Sequence, residues 1–391
     1  MCQGGESFCS DTFSATIRHN TTKIQEYLDQ QNKIPLHIGI TGESGSGKST
    51  FVNAFRGIDN RDERAAPTGS VETTLEVTPY HHPNYPNVTL WDLPGIGTTK
   101  FPADKYLEHV EFEKFDFFII ISDTRFREND VRLAQEIRKM RKNFYFVRSK
   151  IDNDLRNEER SQREFNAERT LKKIRENCIQ GLQKQGVEAP QVFLVSSFDL
   201  YLYDFHLLEE TLERELPAHK RNALLWAIPS VNLEIINKKK KALQANINYV
   251  ACLYALIACV PVPGLSFAID LTGLANVVRE YQVTFGLDSE SLQKLALSAR
   301  VPVDDLKTVM TSPLAGKEIT KELIIELLSS SPSGAALMEA EGSKFIPIFG
   351  IPVTMALSFT STYNSLNTFL NMLADDAQRV FKKALGLNTS V

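Results

Sequence analysis

Between residue 36 and about residue 216, short apolar runs alternate with stretches of helical spacing. The strand-like runs lie at 36–41, 71–78, 87–92, 115–122, 143–149 and 191–196, and most are continuously apolar rather than alternating. A continuous run of this length belongs to a strand buried on both faces, hence to a mainly parallel sheet flanked by helices. Helical spacing near 49–57, 103–110, 128–141 and 164–185 supplies the crossovers. The pattern predicts a doubly wound α/β domain whose ligands gather at the carboxyl ends of the strands. After Leu216-Pro217 the chain turns into long helical periodicities with few β-branched runs. The expected organisation is an N-terminal helical segment (1–34), an α/β domain (35–217) and an all-α domain (218–391). Residues 10–31 are expected to pack with or near the last of these.

Residues 249–269 and 345–374 carry no charge, and the first approaches the ~20 apolar residues that span a bilayer. Pro261, Pro263 and Gly264 break the first, which predicts a helix, a turn and a second helix from near Leu265. Pro347, Gly350 and Pro352 suggest a similar core-facing hairpin in the second. Cys252 and Cys259, seven apart on one helix face, read as small core residues. The run Lys238-Lys-Lys-Lys241 resembles a phospholipid-binding patch. Consecutive helix positions point in different directions, however, and a solvated face is the expected outcome.

A chain of 391 residues is long enough for two or three cores. Its net charge of −4 gives no reason to expect nucleic acid as a partner. The five scattered cysteines, with no CxxC pair, suit a reducing compartment, and no secretory leader is apparent. Position 2 is cysteine rather than glycine, which argues against N-myristoylation.

The chemistry begins at Gly42-Glu-Ser-Gly-Ser-Gly-Lys-Ser-Thr50, between the first strand and a helix. A glycine-rich strand-to-helix turn lets consecutive N–H groups close around phosphate oxygens at the positive end of the helix dipole. Gly42, Ser44, Gly45, Ser46, Gly47 and Thr50 are the expected cradle. Lys48 would reach the β/γ phosphates and Ser49 would face Mg²⁺. Trp91-Asp-Leu-Pro-Gly95 ends a later strand, where Asp92 would hold Mg²⁺ through water and the Gly95 N–H would meet the γ-phosphate. In Ser149-Lys-Ile-Asp152, Asp152 would accept the two donors on the guanine edge while the Lys150 stem lies over the purine. Adenine lacks those donors, and a closed pocket that leaves a charged acceptor unpaired loses about 1.5–3 kcal/mol per bond, so GTP is preferred over ATP. In Val195-Ser-Ser-Phe198, Ser196 or the Ser197 N–H would meet the guanine O6. Each short motif is weak alone; their order on successive strand ends is a GTPase signature.

Two further positions shape the expected mechanism. Where many GTPases place a water-orienting glutamine after the aspartate-x-x-glycine segment, this chain has Ile96. The isolated monomer is therefore expected to hydrolyse GTP slowly, or to receive the missing function from a partner. Ala66-Pro-Thr-Gly-Ser-Val-Glu-Thr-Thr74 is the expected first switch, with Thr74 favoured to complete the Mg²⁺ shell and Thr73 and Thr68 as competitors. Thr68 and Gly69 join the nucleotide-contacting set. Ser149 stands where many GTPases have asparagine, so a bond buttressing the phosphate loop is expected to be absent or shorter, with modest nucleotide affinity.

The segments GESGSGKSTF, APTG-VETT, NVTLWDLPGIGTT, FDFFIIIS, FYFVRSKID and LPAHKR (216–221) together resemble the immunity-related GTPases, which are interferon-inducible and dynamin-like. The likeness is dense from about 35 to 221 and continues more thinly through Phe285-Gly-Leu-Asp288. It implies a Ras-like GTP-binding domain joined to a helical domain built from both chain ends. It also implies nucleotide-dependent assembly on intracellular membranes in cell-autonomous innate immunity, as a cytoplasmic, peripherally attached protein. The implied partners are a second copy docked across the nucleotide face, other family members and the membrane itself. By the same resemblance, Glu72 joins the nucleotide-contacting set and is a candidate for activation in trans. Lys48, in place of the regulatory branch's methionine, marks an effector-type member. The competing expectations are a switch-type GTPase dependent on a separate activator and a non-hydrolysing scaffold.

Overall fold

The computed structural model describes residues 26, 34–69, 76–94, 111–123, 128–184, 186–187, 190–258, 265–329 and 350–386. The chain divides into two compact units, with the change at Asn232/Leu233.

The first unit is built on a six-stranded sheet in the order β2-β3-β1-β4-β5-β6. The strands are β1 (Leu36–Thr41), β2 (Thr78–His81), β3 (Val88–Asp92), β4 (Phe117–Ser122), β5 (Asn143–Arg148) and β6 (Val192–Leu194). All pairings are parallel except that of β2 with β3. All six side chains of Phe117–Ser122 are buried, as a strand covered by helices on both faces requires. β1 lies between β3 and β4, so successive crossovers leave it in opposite directions and open a crevice at its carboxyl end.

The helices of this unit are α1 (Lys48–Phe55), α2 (Glu128–Lys139), α3 (Ile151–Ser161), α4 (Ala167–Lys184), α5 (Phe205–Glu215) and α6 (Ala218–Ala227). Phe51 and Phe55 of α1 meet Phe205 edge-on, joining α1 to α5. A second aromatic group of Phe112, Phe115 and Phe118 packs beside Trp91.

Several expectations need correction. The strand expected at 71–78 is found at Thr78–His81, an edge strand turned back against β3, and residues 70–75 lie outside the described ones. The helix expected at 103–110 also lies outside them. The helix expected at 164–185 starts at Ala167, where the Asn166 side chain accepts from Arg169 N at 2.8 Å. α3 was not foreseen: only Ile151 of its eleven residues is buried, so it has no apolar stripe to read.

The expected domain boundary after Leu216-Pro217 also differs. α6 packs on β1 and β3 and belongs to the sheet unit. The reason lies in the LPAHKR segment, where Lys220 pairs with Asp116 at 2.5 Å. Asp116 in turn accepts from His37 N at 2.9 Å, which fastens α6 to the edge of the central strands.

The described part of the second unit is helical: α7 (Leu233–Ala258), α8 (Leu265–Thr284), α9 (Ser289–Ala299), α10 (Val303–Thr308), α11 (Lys321–Ser329) and α12 (Gly350–Ala384). α7 and α12 run side by side, pinned by Gln378 to Asn237 (3.0 Å) and Gln244 to Asn367 (3.2 Å). At Phe285-Gly-Leu-Asp288 the left-handed Gly286 ends α8 and the Asp288 carboxylate caps α9 through Ser291 N. α8 begins at Leu265, as the proline break predicted.

The second expected hairpin is overturned across 350–374, because α12 is one continuous helix with Pro352 in its first turn, where no intrahelical N–H is needed. The lysine run is neither a patch nor a wholly solvated face. Lys239 is buried and donates to the Thr284 carbonyl at 3.0 Å, Lys238 pairs with Glu234, and Lys240 lies 4.0 Å from Asp375. Cys252, expected in the core, is exposed, while Cys259 lies outside the described residues. No described helix is long and apolar enough to cross a membrane.

Candidate nucleotide site

The glycines of residues 42–47 are there because the backbone demands them. Gly42 has φ +138°, and a Cβ at that position would lie 2.0 Å from the Ile121 carbonyl oxygen. Gly47, φ +96°, turns the chain into α1 from a left-handed conformation that L side chains rarely adopt. Phe51 N donates to Gly47 O, so the helix starts directly at Lys48 with its first amides directed at the loop. Lys48 is buried along its stem, and its Nζ donates to the Glu43 carbonyl at 2.8 Å, which holds the ammonium across the loop. Ser44 and Gly45 are exposed, and Thr50 is half-buried.

Asp92, fully buried at the end of β3, accepts from Ser49 Oγ at 2.6 Å. The register places Ile40 of β1 opposite Asp92, so the phosphate loop and the carboxylate leave the sheet at the same level. A hydroxyl and a carboxylate meeting there are the hard oxygen donors that Mg²⁺ takes when phosphate oxygens and water complete its shell.

The base side is equally well defined. Lys150 has φ +57° and starts α3, whose first turn carries Asp152. Asp152 is half-buried, with Arg156 at 3.7 Å. Ile151 N donates to Val195 O and Val195 N to Arg148 O, which joins the Ser149–Asp152 turn to the Val195–Phe198 loop. That loop is braced from below: Asp204 accepts from Leu194 N at 2.8 Å and pairs with Arg175 at 2.7 Å. Ser196 is fully buried and Ser197 half-buried.

The hydroxyls of Ser46 and Ser196 are buried without a hydrogen-bond partner among the described residues. One lies in the phosphate loop and the other in the loop expected at the guanine O6. Such atoms suit a ligand or ordered water, so these two positions fit a bound GTP, as the Ser49 and Asp92 oxygens fit Mg²⁺.

Of the expected site residues, the structure brings together the 42–50 loop, Asp92, the Ser149–Asp152 turn and Ser196–Ser197. Thr68 and Gly69 are exposed, and nothing in their described surroundings assigns them a role. Glu72, Thr73, Thr74, Gly95 and Ile96 lie outside the described residues.

Of the two alternatives expected at Ser149, absence of the bond is overturned. The buttress at Ser149 exists: its Oγ is 2.7 Å from Ser46 O and 3.2 Å from Ser122 O. A hydroxyl has one proton, so the shorter contact to the phosphate loop is the main bond. Lys150 adds a second tie, with Nζ 2.6 Å from Gly45 O and 2.7 Å from Asp123 Oδ2.

Sequence reasoning missed Arg148, Asp154, Asp123 and Asn53. Arg148 is buried, donates to Ser149 O at 2.8 Å, and pairs with Asp154 at 2.5 Å. Burial raises the Asp154 carboxyl above its ordinary range, while Arg148 pulls it back down. Asp123 directly follows β4, and its position at a strand end was the available signal.

Comparison with known proteins agrees with this geometry. The family model "Interferon-inducible GTPase (IIGP)" matches residues 14–384. Interferon-inducible GTPase 5 of Bos taurus is 44% identical over 95% of this chain and 80% of its own length. Interferon-gamma-inducible GTPase 10 of Mus musculus is 39% identical over 94% of this chain and 86% of its own. Among solved structures, Era in complex with MgGDPNP and part of 16S ribosomal RNA is only loosely similar, with TM-score 0.33, 22% identity, and 46% of this chain and 56% of that one covered. The family match along nearly the whole chain and the glycine-rich loop with its Ser49–Asp92 pair lead to one conclusion: the chain belongs to the interferon-inducible GTPase family and is a GTPase, in which Ser49 and Asp92 would hold Mg²⁺.

Proposed function

We propose that this GTPase assembles in a nucleotide-dependent way on intracellular membranes, as a cytoplasmic, peripherally attached effector of innate immunity, and that a second copy completes its hydrolytic site. The observation that carries the reading is Ile96, which stands where a water-orienting side chain is needed. Binding is supported by the described part of the site: a glycine-rich loop, a lysine, the Ser49–Asp92 pair and the Lys150–Asp152 turn expected to meet the base. A site equipped to hold GTP but lacking a residue to orient water is completed most simply from outside, and the exposed Ser44 and Gly45 leave the phosphate loop accessible to a docking copy. Glu72 is the proposed donor of the activating contact in trans, with Thr74 on Mg²⁺ and the Gly95 N–H at the γ-phosphate.

The test is GTP hydrolysis measured over a wide range of protein concentration, with sedimentation onto liposomes in GDP, GTP and a non-hydrolysable analogue. Turnover per molecule is expected to rise with concentration, and sedimentation to require the triphosphate. A turnover number independent of concentration would remove self-activation, and equal sedimentation in every nucleotide state would remove triphosphate-dependent membrane assembly.

A further inference from the structure

Three consecutive residues at the end of β5 tie the guanine-recognising turn to the phosphate loop, and one tie runs through a group outside the nucleotide contacts. Ser149 is fixed at all of its polar atoms. Its N donates to Ser122 O at 2.8 Å, its Oγ lies 2.7 Å from Ser46 O, and its carbonyl accepts from Arg148 Nη1 at 2.8 Å. Arg148 is held at its other nitrogen by the Asp154 carboxylate at 2.5 Å. The Arg148 side chain is only 7% exposed and that of Asp154 30% exposed, so the guanidinium is shielded from water and the pair is less screened by salt than one on the open surface. The guanidinium is a planar fork that serves both acceptors at once, whereas a lysine ammonium has no such fixed geometry.

The chain of contacts therefore runs Asp154, Arg148, Ser149, Ser46. It connects α3, which carries Asp152, to the loop expected to bind phosphate. Arg148 and Asp154 bracket Ser149–Asn153 without reaching any expected phosphate, Mg²⁺ or guanine contact themselves.

We propose that the Arg148–Asp154 ion pair is a positioning device that acts through Ser149 on the phosphate loop, so that base recognition and phosphate binding are held as one rigid unit and guanine nucleotide leaves slowly. Loss of Asp154 frees the guanidinium, the Ser149 carbonyl loses its fixed donor, and the Ser149 hydroxyl drifts from Ser46. The inference concerns nucleotide retention within one molecule and stands whether or not a second copy activates hydrolysis.

The test is a double-mutant cycle on the full chain, with dissociation of a fluorescent GDP analogue followed by stopped flow and amide exchange of residues 43–48 measured alongside. Asp154→Ala and Ser149→Ala are each expected to speed dissociation by roughly tenfold, in line with the loss of one well-placed buried bond. The double variant is expected to be no faster than the faster single one, because both cut the same path, and exchange in 43–48 should rise alike in all three. Arg148→Lys should fall between wild type and Asp154→Ala. Asp154→Asn, which keeps the side-chain volume, serves if the alanine variant folds poorly, and tryptophan fluorescence melting checks folding of each. Multiplying effects in the double variant, or unchanged dissociation in a folded Asp154→Asn or Asp154→Ala protein, would overturn the proposal.

Discussion

Asn53 offers a demanding test of how the sheet unit holds together. It lies in α1 with no exposed surface, and its amide grips the backbone of Ala66, which is also fully buried. Nδ2 donates to Ala66 O at 2.9 Å, and Ala66 N donates to Oδ1 at 2.7 Å. Nδ2 also donates to Asn60 Oδ1 at 2.9 Å. The amide thus imitates a strand partner for Ala66, at the root of the segment that leads to Thr68 and Glu72. Asn53→Ala leaves a buried N–H and a buried C=O without these partners, each costing about 1–3 kcal/mol. Alanine recovers about 0.5 kcal/mol of helix propensity. A net loss of roughly 2–3 kcal/mol follows, allowing for partial relaxation of the loop. Both tryptophans, Trp91 and Trp226, lie in the sheet unit, so their fluorescence follows the unfolding of that unit in the intact protein. With an m-value on the order of 2 kcal/mol/M in urea, the midpoint should fall by about 1–1.5 M with unchanged slope. A loss below about 1 kcal/mol would refute the reasoning, because Ala66 would then have other means of satisfying its buried groups.

The remaining predictions concern the base pocket and the cysteines. Asp152→Asn places an amide donor where guanine needs an acceptor, so GTP affinity measured by titration calorimetry should fall by more than about tenfold and the margin over ATP should shrink; unchanged affinity would mean the base binds elsewhere. Cys178 is buried and its thiol is pushed up to about 11 by desolvation, whereas Cys252 is exposed. At pH 8 only about a thousandth of Cys178 would be thiolate, so iodoacetamide followed by peptide mass spectrometry should label Cys252 in the native protein and Cys178 only after unfolding. Labelling of native Cys178 ahead of Cys252 would contradict its placement.

The elements that were legible in the sequence share a physical property. β1, β3, β4 and β5 begin and end within about two residues of the apolar runs that predicted them, because a strand covered on both faces is mostly apolar, with buried polar residues such as Asp92, Ser122 and Arg148 at its end. The phosphate loop was legible because its glycines answer to backbone angles that other residues rarely adopt. α3 was invisible because IDNDLRNEERS, apart from Ile151, carries its weight through main-chain bonds and charge pairs rather than through a buried stripe. Lys239 misled for the opposite reason: a lysine in a charged run gives no sign that its own helix position turns inward to the Thr284 carbonyl. Pro352 misled because a proline stops a helix from within but not in the first turn, and sequence alone does not say where the first turn falls.

The sequence by itself determined the mainly parallel sheet and the glycine-rich loop between β1 and α1, and it raised the expectations that Asp152 meets guanine and that Ile96 leaves hydrolysis incomplete. Each follows from a residue type in a local spacing, and local spacing is what a sequence displays. Only the tertiary structure decided that Ser149 does hold the phosphate loop, through Ser46 103 residues away, and that Arg148 and Asp154 fix the Ser149 carbonyl. It alone decided that Asn53 holds Ala66, and that α6 belongs with the sheet because Lys220 finds Asp116 across 104 residues. These are contacts between polar atoms brought together by the fold. No periodicity encodes them, because a hydrogen bond depends on where two atoms end up, and that is set by the packing of everything between them.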